Sequence, residues 1–125
     1  MSLETPLHRV QGLGSAHSGV RHFWRERVTA AALIPLSAWF VVSVMFLVGQ
    51  TEGEVAAYFQ HPWNALLMAL FVIVACVHMM LGLQVVIDDY VHRPGQRIVL
   101  LLFNRAFTWI VGGLSLVALL RLGVG

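Results

Sequence analysis

The chain has 125 residues, of which 58% are hydrophobic and 11% charged, and its mean hydropathy is +0.79. A soluble domain carries about 25% charged residues, so this composition excludes a soluble enzyme, a disordered tail and a nucleic-acid-binding module. The net charge is only +2, and the eight basic residues, all Arg, are scattered rather than gathered in one run, which suits membrane orientation.

Residues 1–27 form an arm with no apolar core, so it does not read as a signal peptide. Its Gly12-Leu13-Gly14-Ser15 piece has neither the Lys nor the preceding strand of a phosphate loop and reads as irregular. Val28–Gln50 is the first uncharged run, with Pro35 expected to kink it. The loop Thr51–His61 has no Arg and two acids, Glu52 and Glu54. Pro62–Ile87 is the second uncharged run and holds Cys76; a single Cys in an apolar run gives neither a disulfide framework nor a thiolate metal cage. Arg93-Pro94-Gly95 and Arg97 mark the second loop, and Ile98–Leu120 is the third run, with one charge, Arg105.

Each run reaches the roughly 20 apolar residues that a spanning helix needs. In lipid the backbone must satisfy its own polar groups, so these are helices and not strands. The expected fold is all-α: a cytoplasmic arm (1–27) and a membrane domain (28–125) with three transmembrane helices. The arm carries Arg9, Arg21, Arg25 and Arg27, and the second loop carries Arg93 and Arg97. Arg is retained inside, so the N-terminus is expected in the cytoplasm and the C-terminus on the far side. A chain this short holds no flavin or iron–sulfur domain. Any redox role would be as one piece of a larger assembly.

Of six His, only His78 lies deep in a span, roughly 14 Å from Ile87 at 1.5 Å per residue. An ionisable ring in the membrane faces protein or a cofactor. It either bonds a neighbouring helix or ligates haem iron. Gly82 lies one turn on along the same face, as a cradle for a flat macrocycle or as a close helix contact. Asp89 projects from that face about 16 Å further toward the inner surface, beside Tyr90. The pair either hydrogen-bonds and protonates a quinone carbonyl or is an aromatic-belt residue with a solvated helix end. Arg27, next to the first span, either anchors to headgroups or pairs with a haem propionate. Trp24, Trp63 and Trp109 read as belt or packing residues. No other span carries a His, so a second haem ligand would have to come from another chain of a heteromeric or homodimeric bundle.

His78-Met-Met-Leu-Gly82 followed by Asp89-Tyr90-Val91-His92, in a three-span chain of this size, resembles the small membrane-anchor subunits of succinate dehydrogenase, respiratory complex II. The run Leu81–His92 is most similar to the alphaproteobacterial and mitochondrial branch. The arm supports the resemblance through Gly12–Ala16, Gly19, His22-Phe-Trp24 and Arg27-Val-Thr-Ala30. Two positions depart from the pattern: Asp88, where many relatives have Glu or a neutral residue, and His17 in place of Lys. Asp88 is therefore left out of the expected site.

The resemblance implies that His78 is an axial ligand to the iron of haem b, shared with the larger membrane-anchor subunit, with Gly82 packing on the haem. It implies that Tyr90 and Asp89 bind ubiquinone and that Arg27 lies near the haem propionates and quinone pocket. It further implies partnership with the flavoprotein and iron–sulfur subunits, no catalysis by the isolated chain, and a place in the bacterial inner membrane, since no transit segment precedes the arm. Two other readings are a cytochrome b-type anchor of another respiratory complex, such as a fumarate reductase or a hydrogenase, and a non-redox membrane scaffold.

Overall fold

A computed structural model describes Pro6 and residues 16–124. Four helices follow in order: α1 (Ala16–Leu47), α2 (Glu52–Gln60), α3 (Pro62–Tyr90) and α4 (Pro94–Val124). Three of them, over Gly19–Leu47, Pro62–Tyr90 and Pro94–Val124, are long and apolar enough to cross a membrane. The all-α, three-span expectation is met. The described residues differ from the sequence reading at the helix ends.

α1 has 32 residues, about 48 Å at 1.5 Å per residue, against a hydrocarbon thickness of about 30 Å. It begins well before Val28, so the part of the arm from Ala16 onward is helical, not irregular; Gly12–Ser15 lies outside the described residues. His22 Nε2 and Glu26 Oε1, one turn apart at 3.2 Å, support that stretch. The helix runs through Pro35 without interruption. It stops at Gly49, whose φ of +83° is the left-handed cap conformation that glycine adopts without strain.

The first loop also hides an element. Thr51 and Glu54 form a reciprocal capping box, with the Thr51 side chain accepting from the Glu54 N–H and the Thr51 N–H donating to Glu54 Oε2 at 2.7 Å. The box starts α2, which packs against the N-terminal end of α3 and the C-terminal end of α4. α3 and α4 each begin with a proline at the first helical position, where the missing N–H costs nothing.

α3 is the middle helix, antiparallel to α1 on one side and to α4 on the other. Thr29–His78 and the Phe40–Phe71 stack (4.5 Å between centroids) set the first register, and Asn104 Nδ2 donating to the Met80 carbonyl at 3.0 Å sets the second. The interior is inverted relative to a soluble domain. Its most enclosed residues are Ser43, Asn104 and Thr108 beside only two apolar ones, Phe59 and Leu81, while Ile34, Met45 and Trp109 point outward. Lipid tails solvate apolar side chains as well as protein does, so close packing and interhelical hydrogen bonds hold such helices together, the bonds at about 0.6 kcal/mol each. Ser43 Oγ and Tyr58 Oη, 2.7 Å apart, tie α1 to α2 in the same way.

Candidate functional site

The unbroken α3 helix carries His78, Gly82, Val85 and Asp89 along one stripe, since offsets of four, seven and eleven residues return within about 40° of the same direction. His78 is half-buried. Its Nδ1 lies 2.9 Å from Thr29 Oγ1 on α1, and its Nε2 has no hydrogen-bond partner among the described residues. The Thr29 hydroxyl also lies 2.7 Å from the Arg25 carbonyl and 3.1 Å from that of Glu26.

Below the imidazole the stripe is open. A Cβ added at Gly82 would meet nothing within 4 Å, so no helix among the described residues packs there and a contact with one of them does not explain the glycine. Counting one turn inward from Thr29 and from His78 brings Arg25 level with Gly82. Asp89 is exposed, and Tyr90 is 79% exposed. Asp88, by contrast, pairs with Arg97 of α4 at 2.7 Å, turned away from the stripe.

Arg27 is two residues from Thr29, about 200° around the helix, and its guanidinium sits 5.0 Å over the Phe23 ring. Within this chain it is not brought onto the His78 stripe; it flanks the same end of the bundle from the other side of α1. Arg105 is exposed at about the level of His78. On the α4 side of α3, a crevice of about 220 Å³ lies between Cys76, Met80, Thr108 and Gly112. The one polar group among these, the Thr108 hydroxyl, is already used on the Asn104 carbonyl at 2.8 Å.

A profile of the succinate dehydrogenase/fumarate reductase transmembrane subunit matches residues 1–118. A succinate dehydrogenase hydrophobic membrane anchor subunit from Paracoccus denitrificans is 40% identical over 121 residues, covering 97% of this chain and 93% of the relative. The chain belongs to the succinate dehydrogenase/fumarate reductase transmembrane subunit family. The corresponding anchor subunit of Rickettsia bellii is 29% identical over 100 residues, 80% of each chain. A succinate dehydrogenase membrane anchor subunit of Reclinomonas americana is 28% identical over 85 residues, 66% of this chain and 71% of that one. No solved structure matches at a significant level.

Members of this family are integral to the membrane, and the groups along this chain's stripe suit such a setting. Among the described residues, an imidazole nitrogen without a hydrogen-bond partner stands at one end, an unfilled glycine position comes next, and Arg25 on α1 lies level with it. That donor set fits a haem on one axial side only. Sequence reasoning assigned no role to Thr29. Thr29 follows Val28 at the very start of its apolar run, whereas His78 lies deep in its own run by count from Ile87. Run boundaries therefore place the two at different depths. In the structure α1 continues before Val28, and Thr29 meets His78 at 2.9 Å.

Proposed function

We propose that this chain is the hydrophobic membrane-anchor subunit of a succinate:quinone oxidoreductase. The observation that carries the reading is the near full-length identity to the Paracoccus anchor subunit. The open stripe on α3 supports the finer assignments. The flavoprotein and iron–sulfur subunits dock at the cytoplasmic end of the bundle, where Arg21, Arg25, Arg93 and Arg97 gather. The N-terminus is cytoplasmic and the C-terminus periplasmic, by the retention of Arg inside, in a bacterial inner membrane.

His78 would hold haem b through its free ring nitrogen, together with a residue of the larger membrane-anchor subunit. Gly82 leaves room for the macrocycle, and Arg25, level with it on α1, offers a guanidinium fork to its carboxylates, while Arg27 flanks the same end of the bundle from the other side of α1. When bound, haem supplies a one-electron relay within the bundle. At the inner end Tyr90 donates a hydrogen bond to a ubiquinone carbonyl oxygen, and Asp89 passes protons from water to that oxygen. Full reduction of the quinone takes two electrons from the iron–sulfur subunit and two protons from the cytoplasmic side. No group in this chain touches succinate.

A complex purified through a tag on this chain tests the reading. It should contain three further chains and reduce ubiquinone with succinate. Co-purification without a flavoprotein, or with one that acts on another donor, would instead mark the chain as the anchor of a different respiratory complex. A tagged chain that brings down neither flavin nor iron–sulfur protein would leave it a scaffold.

A further inference from the structure

We infer that Thr29 is a positioning residue for His78: it accepts a hydrogen bond from Nδ1–H and so leaves Nε2 as the lone-pair nitrogen that meets the haem iron. The inference rests on the proposed role of His78 and adds a residue on a different helix.

The argument is a count of protons. A Thr hydroxyl has one proton and two lone pairs, and a backbone carbonyl can only accept. Thr29 Oγ1 lies 2.7 Å from the Arg25 carbonyl oxygen and 3.1 Å from the Glu26 carbonyl oxygen. An oxygen–oxygen approach of 2.7 Å needs a proton between the two atoms, so the hydroxyl proton lies on the carbonyl side. The hydroxyl then has only lone pairs for His78 Nδ1, 2.9 Å away, and the proton of that contact belongs to the ring. A neutral imidazole protonated at Nδ1 carries its lone pair on Nε2. A ring protonated at both nitrogens has no lone pair left and could not ligate a metal.

The contact fixes more than the tautomer. It ties the ring to a second helix, so the imidazole plane cannot rotate freely about its own side-chain bonds. An acceptor on the distal N–H also raises the basicity of the ligating nitrogen, and the loss of such a partner commonly costs 10- to 100-fold in metal affinity or activity. A more basic axial nitrogen favours ferric over ferrous iron.

Thr29→Val keeps the shape and removes the acceptor; Thr29→Ser keeps the acceptor. In the purified complex, Thr29→Val should retain haem but raise its midpoint potential and change the largest g value of the ferric low-spin signal, with roughly 10-fold faster haem loss to an external acceptor. Thr29→Ser should restore all three. A Thr29→Val complex with wild-type potential, g value and haem retention would overturn the inference. Nitrogen NMR of histidine-labelled wild-type complex in the diamagnetic reduced state reads the tautomer without any variant. A proton on Nδ1 of His78 supports the inference, and a proton on Nε2 overturns it. His78→Ala separates the two layers of the argument. Haem ligation unchanged in that variant defeats the ligand role of His78 and the Thr29 inference with it, whereas a ligation loss there beside a silent Thr29→Val defeats the Thr29 inference alone.

Discussion

The two flanks of α3 use their polar atoms differently. Toward α4, Asn104 donates to the Met80 carbonyl, Thr108 turns back onto its own helix, and a Cβ on Gly112 would sit 3.4 Å from Cys76 Sγ. That flank is closed by close approach and by bonds made within the chain. Along the stripe beside α1, one polar contact holds His78, and below it nothing fills Gly82 while Asp89 and Tyr90 stand exposed. One side of the helix is held mostly by contacts among the described residues, and the other carries ionisable groups with few such contacts. In a membrane an ionisable stripe left open marks function more clearly than an open apolar face, because lipid solvates the second and not the first.

The largest expected effect lies at the C-terminal end of α3, on the open flank. Tyr90→Phe should lower succinate-dependent ubiquinone reduction by about 10²-fold, the lower range for loss of a positioned proton donor. Succinate oxidation measured with an artificial dye should persist, and parallel loss of both activities would break the assignment. Next in size is a paired steric test. A Cβ at Gly82 meets no atom of the described residues within 4 Å, so the fold should tolerate Gly82→Leu while haem content in the purified complex falls. Gly112→Leu should instead disturb α3–α4 packing, read as easier unfolding of the chain, because overpacking costs about 1–3 kcal/mol. If Gly82→Leu destabilises the isolated chain as much as Gly112→Leu does, the contrast between the flanks is wrong.

Asn104→Leu sharpens the closed side. It removes one interhelical hydrogen bond and a buried side-chain oxygen that has no partner. The net loss should stay under about 1.7 kcal/mol in a reversible unfolding titration in detergent. The smallest effect is at the outer loop. Hydrogen bonds from the Thr51 backbone and side chain hold the Glu54 carboxyl below its ordinary value of 4.5. Because the folded-state value is depressed, the capping contribution is fully present above that ordinary value and is lost as pH falls through the lowered one. Amide exchange in α2 should therefore quicken at acid pH while α3 and α4 are unchanged, and Thr51→Ala, which costs about 1 kcal/mol at a cap, should mimic it near neutrality.

The sequence made the three spans legible because charge is excluded from hydrocarbon, and a run without charge shows that directly. The stripe was equally legible, since helical periodicity alone places His78, Gly82 and Asp89 together. The helical start of α1 before Val28 was hidden because hydropathy reports where lipid begins and not where the helix begins. α2 was hidden because a nine-residue helix nucleated by a capping box has no apolar periodicity of its own to show. Thr29 stayed invisible for a related reason: its partner is fixed by interhelical register, which the Phe40–Phe71 and Thr29–His78 contacts define and which no single helix encodes. The direction of Arg27 is of the same kind. Adjacency to the span singled it out, while the helix turns it toward Phe23.

Reduced-minus-oxidised spectra of the complex purified through this chain, wild type beside His78→Ala, decide whether the open flank of α3 is a cofactor face. A low-spin b-type haem band should be present in the wild type and be lost or converted to a high-spin form in the variant. An identical low-spin band in both complexes would rule out that role.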